Sequence, residues 1–363
     1  MPDVLIHGDT FRSPDLRHEV PVAIPDPLLY AERNGSRHVV VSALEYARVR
    51  AVDGLEARAF EDLGMDELLA QGMDRDAAEL EVYVRACREL GISEAVVPWT
   101  FPLALAERLR AQGVAVTAER DLFVERRRVK TEAELTGIRR AQRACEAAMG
   151  TAKGLIGEGV TCEEVRAAIE RVFIEHDVFA DEIIVSHGAE SAIGHEIGSG
   201  AIAAGEPVVI DLFPRDRQSG CYADMTRTFA AGEPPDELVE WHRLCKQALD
   251  LALGAIRPRV RGAELHRLVC DLFHEHGYKT QLSKEPGEVL SEGFFHSLGH
   301  GVGLEVHEEP GLGRNGVELV AGDVVAVEPG LYRPGFGGCR LEDLVLVTDG
   351  GCENLTNFPY ELQ

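Results

Sequence analysis

Short apolar runs alternate with polar turns over the first 120 or so residues of the chain. Residues 37–42 and 94–98 have the length and apolar content of strands, and residues 103–112 carry apolar side chains at helical spacing. This mixture predicts an α/β domain. No glycine-rich loop of the kind that binds phosphate lies in this stretch.

Two helix starts after residue 130 have the form of a capping box, in which a threonine and a glutamate three residues later each bind the other's backbone amide. The pairs are Thr131 with Glu134 and Thr161 with Glu164. The first helix is expected to continue to about Gly150, and the second carries an apolar stripe along one face.

Two further helices are predicted at residues 236–253 and 263–276, and Gly277 is placed to end the second of them. Together with apolar strand-like runs between and after them, these helices predict a second domain. We expect the first domain at 1–128 and the second at 129–363. The basic run ERRRVK at 125–130 is interpreted as an exposed interdomain linker, with an anion site as the alternative.

Composition limits the function more than the fold. Among 363 residues, 62 are acidic and 37 are Lys or Arg, and the formal charge of −25 argues against binding to nucleic acid or an anionic membrane. No apolar run approaches the length of a membrane span, and the first residues lack a secretory pattern, so a cytoplasmic protein is expected. The eight cysteines contain no C-x-x-C pair, which fits neither a zinc cluster nor a disulfide framework.

Two similar segments in the second domain, which we call the internal echo, say more about function than the composition does. GEPVVID at 205–211 resembles GDVVAVE at 322–328, so that Asp211 and Glu328 each end an apolar strand that begins after a glycine and an acid. A second carboxylate follows each of them, because Asp224 lies 13 residues after Asp211 and Glu342 lies 14 residues after Glu328. A duplicated unit of this kind predicts a pseudo-twofold site between two halves.

Three histidines lie close to this echo in the chain. The segment at 296–308 contains His296, His300 and His307, and its glycines allow the backbone to approach a ligand closely. Residues 304–307 alternate as a strand would. A single histidine is more often a core or surface residue than a ligand, but three beside paired carboxylates favour a site.

Four carboxylates at one point would carry a charge of about −4, and repulsion and desolvation would protonate some of them. Two divalent cations would balance that charge. Oxygen ligands with a single imidazole suit manganese, iron, cobalt or zinc. Two metals about 3.5–4 Å apart could hold a bridging water and activate it, which predicts a metal-assisted hydrolase. Four unrelated surface carboxylates on turns are the alternative.

From about residue 130 to the end, the chain resembles the pita-bread metallopeptidases, which comprise proline-specific aminopeptidases and dipeptidases and, more distantly, methionine aminopeptidase. The resemblance rests on VID at 209–211, DMTRTF at 224–229, the histidine segment 296–308, VEPGLY at 327–332 and RLED at 340–343. The N-terminal part loosely resembles that family's creatinase-like domain. The resemblance implies a two-domain α/β protein: a creatinase-like N-terminal domain, and a pita-bread α+β catalytic domain with a pseudo-twofold internal repeat.

The resemblance also implies a role for individual residues. The implied metal ligands are Asp211, Asp224, His300, Glu328 and Glu342. Asp224 and Glu342 would bridge both metals, and Glu328 would also help to move the proton of the attacking water.

Four more residues acquire implied roles around the substrate. His307 is similar to the family histidine that contacts the substrate carbonyl, and His296 to one that lines the pocket. His195, sixteen residues before Asp211, is similar to a substrate-side histidine. Arg340 would orient Glu342 or pair with the substrate.

Two departures from the family pattern stand out. The Asp211–Asp224 interval is two residues longer than usual, with residues 214–220 as an enlarged turn, which need not disturb the ligands but could alter the pocket rim. Some dipeptidases place an arginine shortly after the His307 position. Here Gly311 follows Pro310 and the nearest arginine is Arg314, which is less typical of a strict dipeptidase.

The implied activity is hydrolysis of the Xaa-Pro bond at the N-terminus of short peptides, of the aminopeptidase P or prolidase type, through a water bridging two divalent metals. Manganese is the expected metal, with cobalt or zinc as alternatives, and a homodimer is expected. A metal-free pita-bread protein, either a creatinase-like C–N hydrolase or a peptide-binding module, is the alternative. A methionine aminopeptidase is a third, disfavoured by the additional N-terminal domain.

Overall fold

A computed structural model of the protein describes residues 2–363. The chain divides into two compact units, one that ends at Arg127 and one that covers Arg128–Gln363. Each unit has hydrophobic clusters of its own, and the two are described separately below.

The first unit is a six-stranded mixed sheet in the order β4-β3-β2-β1-β5-β6. Its strands are Val4–Gly8 (β1), Leu28–Arg33 (β2), Ser36–Val41 (β3), Glu56–Ala59 (β4), Glu94–Val97 (β5) and Ala115–Ala118 (β6). Its helices are Pro14–Glu19 (α1), Ala43–Arg50 (α2), Met65–Ala70 (α3), Arg75–Glu89 (α4), Leu103–Ala111 (α5) and Asp121–Arg128 (α6). Strands β1 to β3 pair antiparallel, and the remaining pairs are parallel.

The central strands β2 and β3 carry buried side chains on both faces of this sheet. In β2 and β3, Leu29 and Val40 contribute to one hydrophobic cluster, and their neighbours Tyr30 and Val39 contribute to another. This alternation follows from the twofold period of a strand. The apolar runs predicted at 37–42 and 94–98 and the helix predicted at 103–112 are therefore confirmed as β3, β5 and α5.

The basic run at 125–130 is not an exposed linker, so that prediction was wrong. Residues 125–128 form the end of α6, and Arg127, Arg128 and Lys130 are all buried. Arg126 pairs with Glu19 at 2.5 Å and with Glu32 at 2.6 Å inside the first unit. Each of these cationic side chains has a carboxylate partner, and this pairing offsets the cost of burying the charge.

The second unit contains two sheets and two small strand pairs. Its strands are Val178–Phe179 (β7), Ile184–His187 (β8), Pro207–Leu212 (β9), Arg215–Asp216 (β10), Met225–Ala230 (β11), Gly299–Gly301 (β12), Val324–Val327 (β13), Gly330–Arg333 (β14), Gly337–Arg340 (β15), Asp343–Thr348 (β16) and Gly351–Asn354 (β17). One sheet has the order β11-β9-β8 and the other β12-β13-β16-β17, while β10 pairs with β7 and β14 with β15.

The helices of the second unit are Glu132–Lys153 (α7), Cys162–Glu175 (α8), Asp236–Ala255 (α9) and Gly262–Glu275 (α10). Both capping boxes are confirmed, and α7 extends a few residues beyond its predicted end. Gly277 has a φ of 86° just after α10, which a glycine adopts without strain. Over residues 2–363, no helix combines the length and the apolar character that crossing a bilayer requires.

The two halves of the second unit repeat the same arrangement. In each half a packed helix pair precedes the strand that carries the echoed motif. The residue before the second helix makes an isolated antiparallel bridge to a residue four positions before the motif glycine, as Thr161↔Ala201 and Arg261↔Glu318. Gly205 and Gly322, with φ of 80° and 97°, begin the two motifs. The internal repeat predicted from the sequence is present.

The acid after each motif glycine has an equivalent role. Glu206 accepts from the amide of Ala203 at 2.9 Å, and Asp323 accepts from the amide of Val320 at 2.8 Å. Asp323 also receives two guanidinium bonds from buried Arg128, at 2.8 and 3.0 Å. These bonds fix the turns from which strands β9 and β13 start.

Candidate metal centre and substrate cavity

One cavity of about 1080 Å³ in the second unit brings together every candidate site residue named from the sequence. These residues are His195, Asp211, Asp224, His296, His300, His307, Glu328, Arg340 and Glu342. The carboxylates among them come from residues 211 to 342 of the chain, so only the tertiary fold can place them side by side.

The strand register explains how the carboxylates meet. Asp211 lies in β9 opposite Thr226 of β11, and Asp224 directly precedes β11. Glu328 directly follows β13, and Glu342 directly precedes β16, the antiparallel partner of β13. Each half of the repeat therefore delivers two carboxylates from the ends of a paired set of strands.

His300 offers a free ring nitrogen to these carboxylates. Its Nδ1 lies 3.1 Å from the carbonyl oxygen of Gly301 and donates to it, so Nε2 carries a lone pair. That Nε2 atom is 3.7 Å from Asp224 and 3.7 Å from Glu328. Burial, and then the neighbouring His307, lower the pKa of His300 to about 4. A neutral imidazole with this tautomer can bind a metal through Nε2.

The donor set fits a divalent cation. One oxygen or nitrogen atom each of Asp224, His300 and Glu342 lie within 4.8 Å of one another. Asp211 Oδ1 is buried and has no hydrogen-bond partner among the described residues, which leaves a carboxylate oxygen available in a site built of oxygen ligands. Hard oxygen ligands with one imidazole suit manganese, cobalt or zinc.

The carboxylates repel one another in the absence of a cation. Burial, and then the charge of Glu342, raise the pKa of Asp224 well above its usual range, and burial and the charge of Asp211 do the same for Glu342. Burial raises the pKa of Glu328 to about 7, although Arg340 opposes the shift. Bound divalent cations would relieve this repulsion, which is the physical reason to expect them here.

Arg340 binds the carboxylate cluster through its guanidinium group. Its guanidinium donates to Asp211 at 2.7 Å, to the hydroxyl of Thr226 at 3.1 Å and to the hydroxyl of Tyr332 at 3.0 Å. The Thr226 hydroxyl in turn donates to Glu342 at 2.6 Å. Arg340 therefore orients Asp211 directly and Glu342 through Thr226.

His296 stands at the end of the same network. Its Nδ1 donates to the carbonyl of Ser297 at 2.7 Å, so Nε2 accepts from the Tyr332 hydroxyl at 3.0 Å. Burial, and then Arg340, lower the pKa of His296 to about 3, which makes it a neutral acceptor. Sequence reasoning assigned no role to Thr226 or Tyr332, although both lie inside the DMTRTF and VEPGLY motifs.

His307 is exposed in the cavity, with its ring edge-on to that of His300 at a centroid distance of 4.2 Å. The strand predicted at 304–307 is absent, and this prediction was wrong. Gly301 and Glu308 exchange two backbone hydrogen bonds of 2.9 Å, so the residues between them form a bend. The buried side chain of Glu308 pairs with Lys130, which fixes the base of the bend that carries His307.

His195 lies on an exposed segment that follows a 3-10 turn at Gly188–Ala192. The far end of this segment is held by His187, whose Nδ1 is 2.7 Å from Glu206 and whose Nε2 is 3.0 Å from the carbonyl of Ser199. Both ring nitrogens face acceptors. Both bonds therefore form only when the imidazole is protonated.

This geometry predicts a pH-dependent anchor for the segment. Although burial opposes it, the Glu206 hydrogen bond raises the pKa of His187 above its ordinary value of 6.5. The stabilisation is complete below that value and is lost as the pH rises through the raised pKa. We expect His187→Gln to lower the thermal midpoint at about pH 5.5 and to leave it almost unchanged at about pH 9. An equal difference at both pH values would contradict this.

The enlarged turn at 214–220 contributes no residue to the cavity wall, so it leaves the pocket rim unaltered. Asp216 receives two hydrogen bonds from Arg140 of α7, at 2.9 and 2.8 Å, and β10 pairs with β7. The cavity wall includes Phe213 and Asp224, but none of the residues between them. The two extra residues are absorbed beside α7.

Comparison with known proteins identifies the family. The profile of metallopeptidase family M24 matches residues 136–349. The chain belongs to this family. It is 32% identical over 271 residues to a probable dipeptidase, PepE, of Mycobacterium tuberculosis, covering 73% of this chain and 68% of that protein. It is 33% identical over 248 residues to an Xaa-Pro dipeptidase of Pyrococcus furiosus, covering 67% of each protein.

Solved structures extend the match to the whole chain. A prolidase from Pyrococcus furiosus has a TM-score of 0.79 at 25% identity, covering 99% of this chain and 97% of that one. An X-Pro aminopeptidase from Thermotoga maritima has a TM-score of 0.81 at 26% identity, covering 99% and 96%. The predicted fold class, a creatinase-like α/β domain followed by a pita-bread domain with an internal repeat, is confirmed. As a member of this metallopeptidase family, the protein is a peptidase.

Proposed function

We propose that the chain is a metal-dependent exopeptidase that hydrolyses the Xaa-Pro bond at the N-terminus of short peptides. The observation that carries the proposal is the single cavity in which four carboxylates, a neutral imidazole and two exposed histidines converge. Relatives named Xaa-Pro dipeptidase and a fold neighbour named X-Pro aminopeptidase support the choice of substrate. Residues 129–363 would carry the catalytic machinery.

The ligands proposed for two divalent cations are Asp211, Asp224, His300, Glu328 and Glu342. Asp224, His300 and Glu342 would hold one cation together, because one ligand atom of each lies within 4.8 Å of the other two. Bound cations supply Lewis acidity, which lowers the pKa of water and polarises a carbonyl. Manganese is the cation we propose, with cobalt and zinc as alternatives, and a cytoplasmic homodimer remains a prediction.

The chain's own residues would handle the proton and the carbonyl. Glu328 lines the cavity beside the candidate ligands and would accept the proton of the attacking water and pass it to the leaving nitrogen. His307 and His195 stand at the cavity surface, where their ring nitrogens would donate to the substrate carbonyl as it gains negative charge. Arg340 would keep Asp211 and Glu342 in place during the reaction.

The cavity walls suit an apolar ring. Ile193, Phe213, Phe295 and Val306 line the cavity beside the candidate ligands, which offers apolar contact for a proline side chain. A volume of about 1080 Å³ lies at the upper end of small-ligand sites and exceeds what a dipeptide fills. We therefore propose that tripeptides are accepted as well as dipeptides.

A substrate panel tests this proposal. Purified protein loaded with manganese should cleave Ala-Pro and Ala-Pro-Ala and release free alanine, with kcat/KM at least about tenfold above that for Ala-Ala and Ala-Ala-Ala. Equal rates on the proline and alanine series would contradict Xaa-Pro specificity. Cleavage of the dipeptide alone would show a prolidase and contradict the proposed acceptance of longer peptides.

A further inference from the structure

The side chain of Arg227 is buried in β11, three residues after Asp224, and lies outside the cavity wall. A guanidinium group carries five N–H donors, and here every one of them has an acceptor. The acceptors are the carbonyl oxygens of Thr226, Glu342, Phe358 and Pro359 and the carboxylate of Asp343. A fully satisfied buried arginine holds its partners in a fixed geometry.

Three of these acceptors belong to Glu342 itself or to residues in contact with it. Nη1 of Arg227 donates to the Glu342 carbonyl at 2.6 Å, and Nη2 donates to the carboxylate of the next residue, Asp343, at 2.9 Å. Nη1 also donates to the carbonyl of Thr226 at 3.0 Å, and the Thr226 hydroxyl holds the Glu342 carboxylate. Arg227 thus fixes the peptide that carries Glu342 and the residue that orients its side chain.

The remaining acceptors belong to the C-terminal clamp, by which we mean residues 358–360. The carbonyls of Phe358 and Pro359 each accept from Arg227 at 3.0 Å. The Tyr360 ring lies 4.4 Å from the guanidinium carbon, and its hydroxyl donates to Asp343 at 2.5 Å. The clamp therefore contacts both members of the Arg227–Asp343 ion pair.

We propose that the C-terminal clamp is a positioning element of the metal centre, which acts through Arg227 and Asp343 on the peptide of Glu342. This inference rests on the proposed role of Glu342 as a metal ligand. Groups that orient a ligand set the affinity of the metal, and their loss costs about 10- to 100-fold in affinity or activity. The clamp lies 16 or more residues after Glu342 in the chain and reaches the site only through the fold.

Tyr360→Phe tests the proposal with the smallest change, because it removes only the hydroxyl that binds Asp343. We expect the metal-stripped variant to bind Mn²⁺ about tenfold more weakly by isothermal titration calorimetry. The kcat at saturating Mn²⁺ should stay close to the wild-type value, since the change acts on the affinity for the metal. Glu361→Gln is the matched control. Glu361 is the residue next to Tyr360, and its substitution breaks only an exposed ion pair with Lys153, so the Mn²⁺ affinity should stay unchanged.

A second pair of variants separates this inference from the proposed function. Glu342→Gln should abolish tight Mn²⁺ binding; wild-type affinity in that variant would overturn the ligand assignment itself. If Glu342→Gln loses affinity but Tyr360→Phe binds Mn²⁺ like the wild type, only the clamp proposal fails. A lower thermal midpoint of metal-free Tyr360→Phe with unchanged Mn²⁺ affinity would show a purely structural clamp and would likewise overturn it.

Discussion

Replacing Asp224 by Asn is expected to lower kcat/KM for an Xaa-Pro peptide by about a thousandfold or more, because several kcal/mol of metal-dependent transition-state stabilisation would be lost. Asp224 is buried, and its ligand atom lies within 4.8 Å of those of Glu342 and His300. Asparagine keeps the shape but removes the charge. Mn²⁺ titration of the stripped protein should show the loss of at least one high-affinity site.

The same substitution should have the opposite effect on the metal-free protein. Without a cation, burial and Glu342 raise the pKa of Asp224, and burial raises that of Glu328 to about 7. Carboxyl groups with raised pKa values in the folded state support folding at low pH, and this support is lost as the pH rises through those values. At about pH 8, metal-free Asp224→Asn should therefore unfold at a higher temperature than the metal-free wild type.

Thermal unfolding with and without Mn²⁺ checks both halves of this prediction. The wild type should gain a large increase in midpoint from Mn²⁺ and the variant little. Asp216→Asn is the matched control, since Asp216 lies eight residues earlier and pairs with Arg140 instead of facing the cavity. Wild-type rates from Asp224→Asn, or full activity after chelation, would favour the metal-free creatinase-like alternative.

Short sequence patterns predicted the helices and strands that position this site. Each capping box is a pattern of four residues, and the echoed strands are short apolar runs that begin after a glycine, so neither depends on distant partners. The carboxylates follow from the same motifs, because Asp211 lies one residue before the end of β9 and Glu328 directly follows β13. Pattern and resemblance together therefore named the residues that line the cavity.

The incorrect predictions concern residues whose partners are distant in the chain. Lys130 and Arg128 looked like linker cations, but they bury against Glu308 and Asp323, 178 and 195 residues away. The alternation at 304–307 is a genuine strand pattern, but the bridge between Gly301 and Glu308 bends the segment. These ion pairs and this bridge cannot be recognised from composition or periodicity, because they depend on how the two halves of the second unit pack.

Replacing Arg340 by Met is expected to lower kcat/KM by about 100-fold and to weaken Mn²⁺ binding. Arg340 is buried and donates to Asp211, Thr226 and Tyr332, so its removal frees Asp211 directly and Glu342 through Thr226. It also removes a positive charge that lowers the pKa values of Asp224, Glu328 and Glu342. Protons then compete more strongly with the metal, and the Mn²⁺ deficit should be larger at about pH 6 than at about pH 8.5.

Two conservative variants keep this prediction testable, since breaking a buried ion pair destabilises proteins by about 3–5 kcal/mol and Arg340→Met could unfold. Arg340→Lys retains the charge but cannot reach three acceptors at once, so the loss of activity should persist while the added pH dependence disappears. Tyr332→Phe removes the bonds of the Tyr332 hydroxyl to His296 and to Arg340, but Arg340 keeps its bonds to Asp211 and Thr226. This variant should therefore change kcat with little effect on Mn²⁺ affinity. Wild-type kinetics from Arg340→Lys would show that charge alone, without the three directed hydrogen bonds, holds the carboxylates in place.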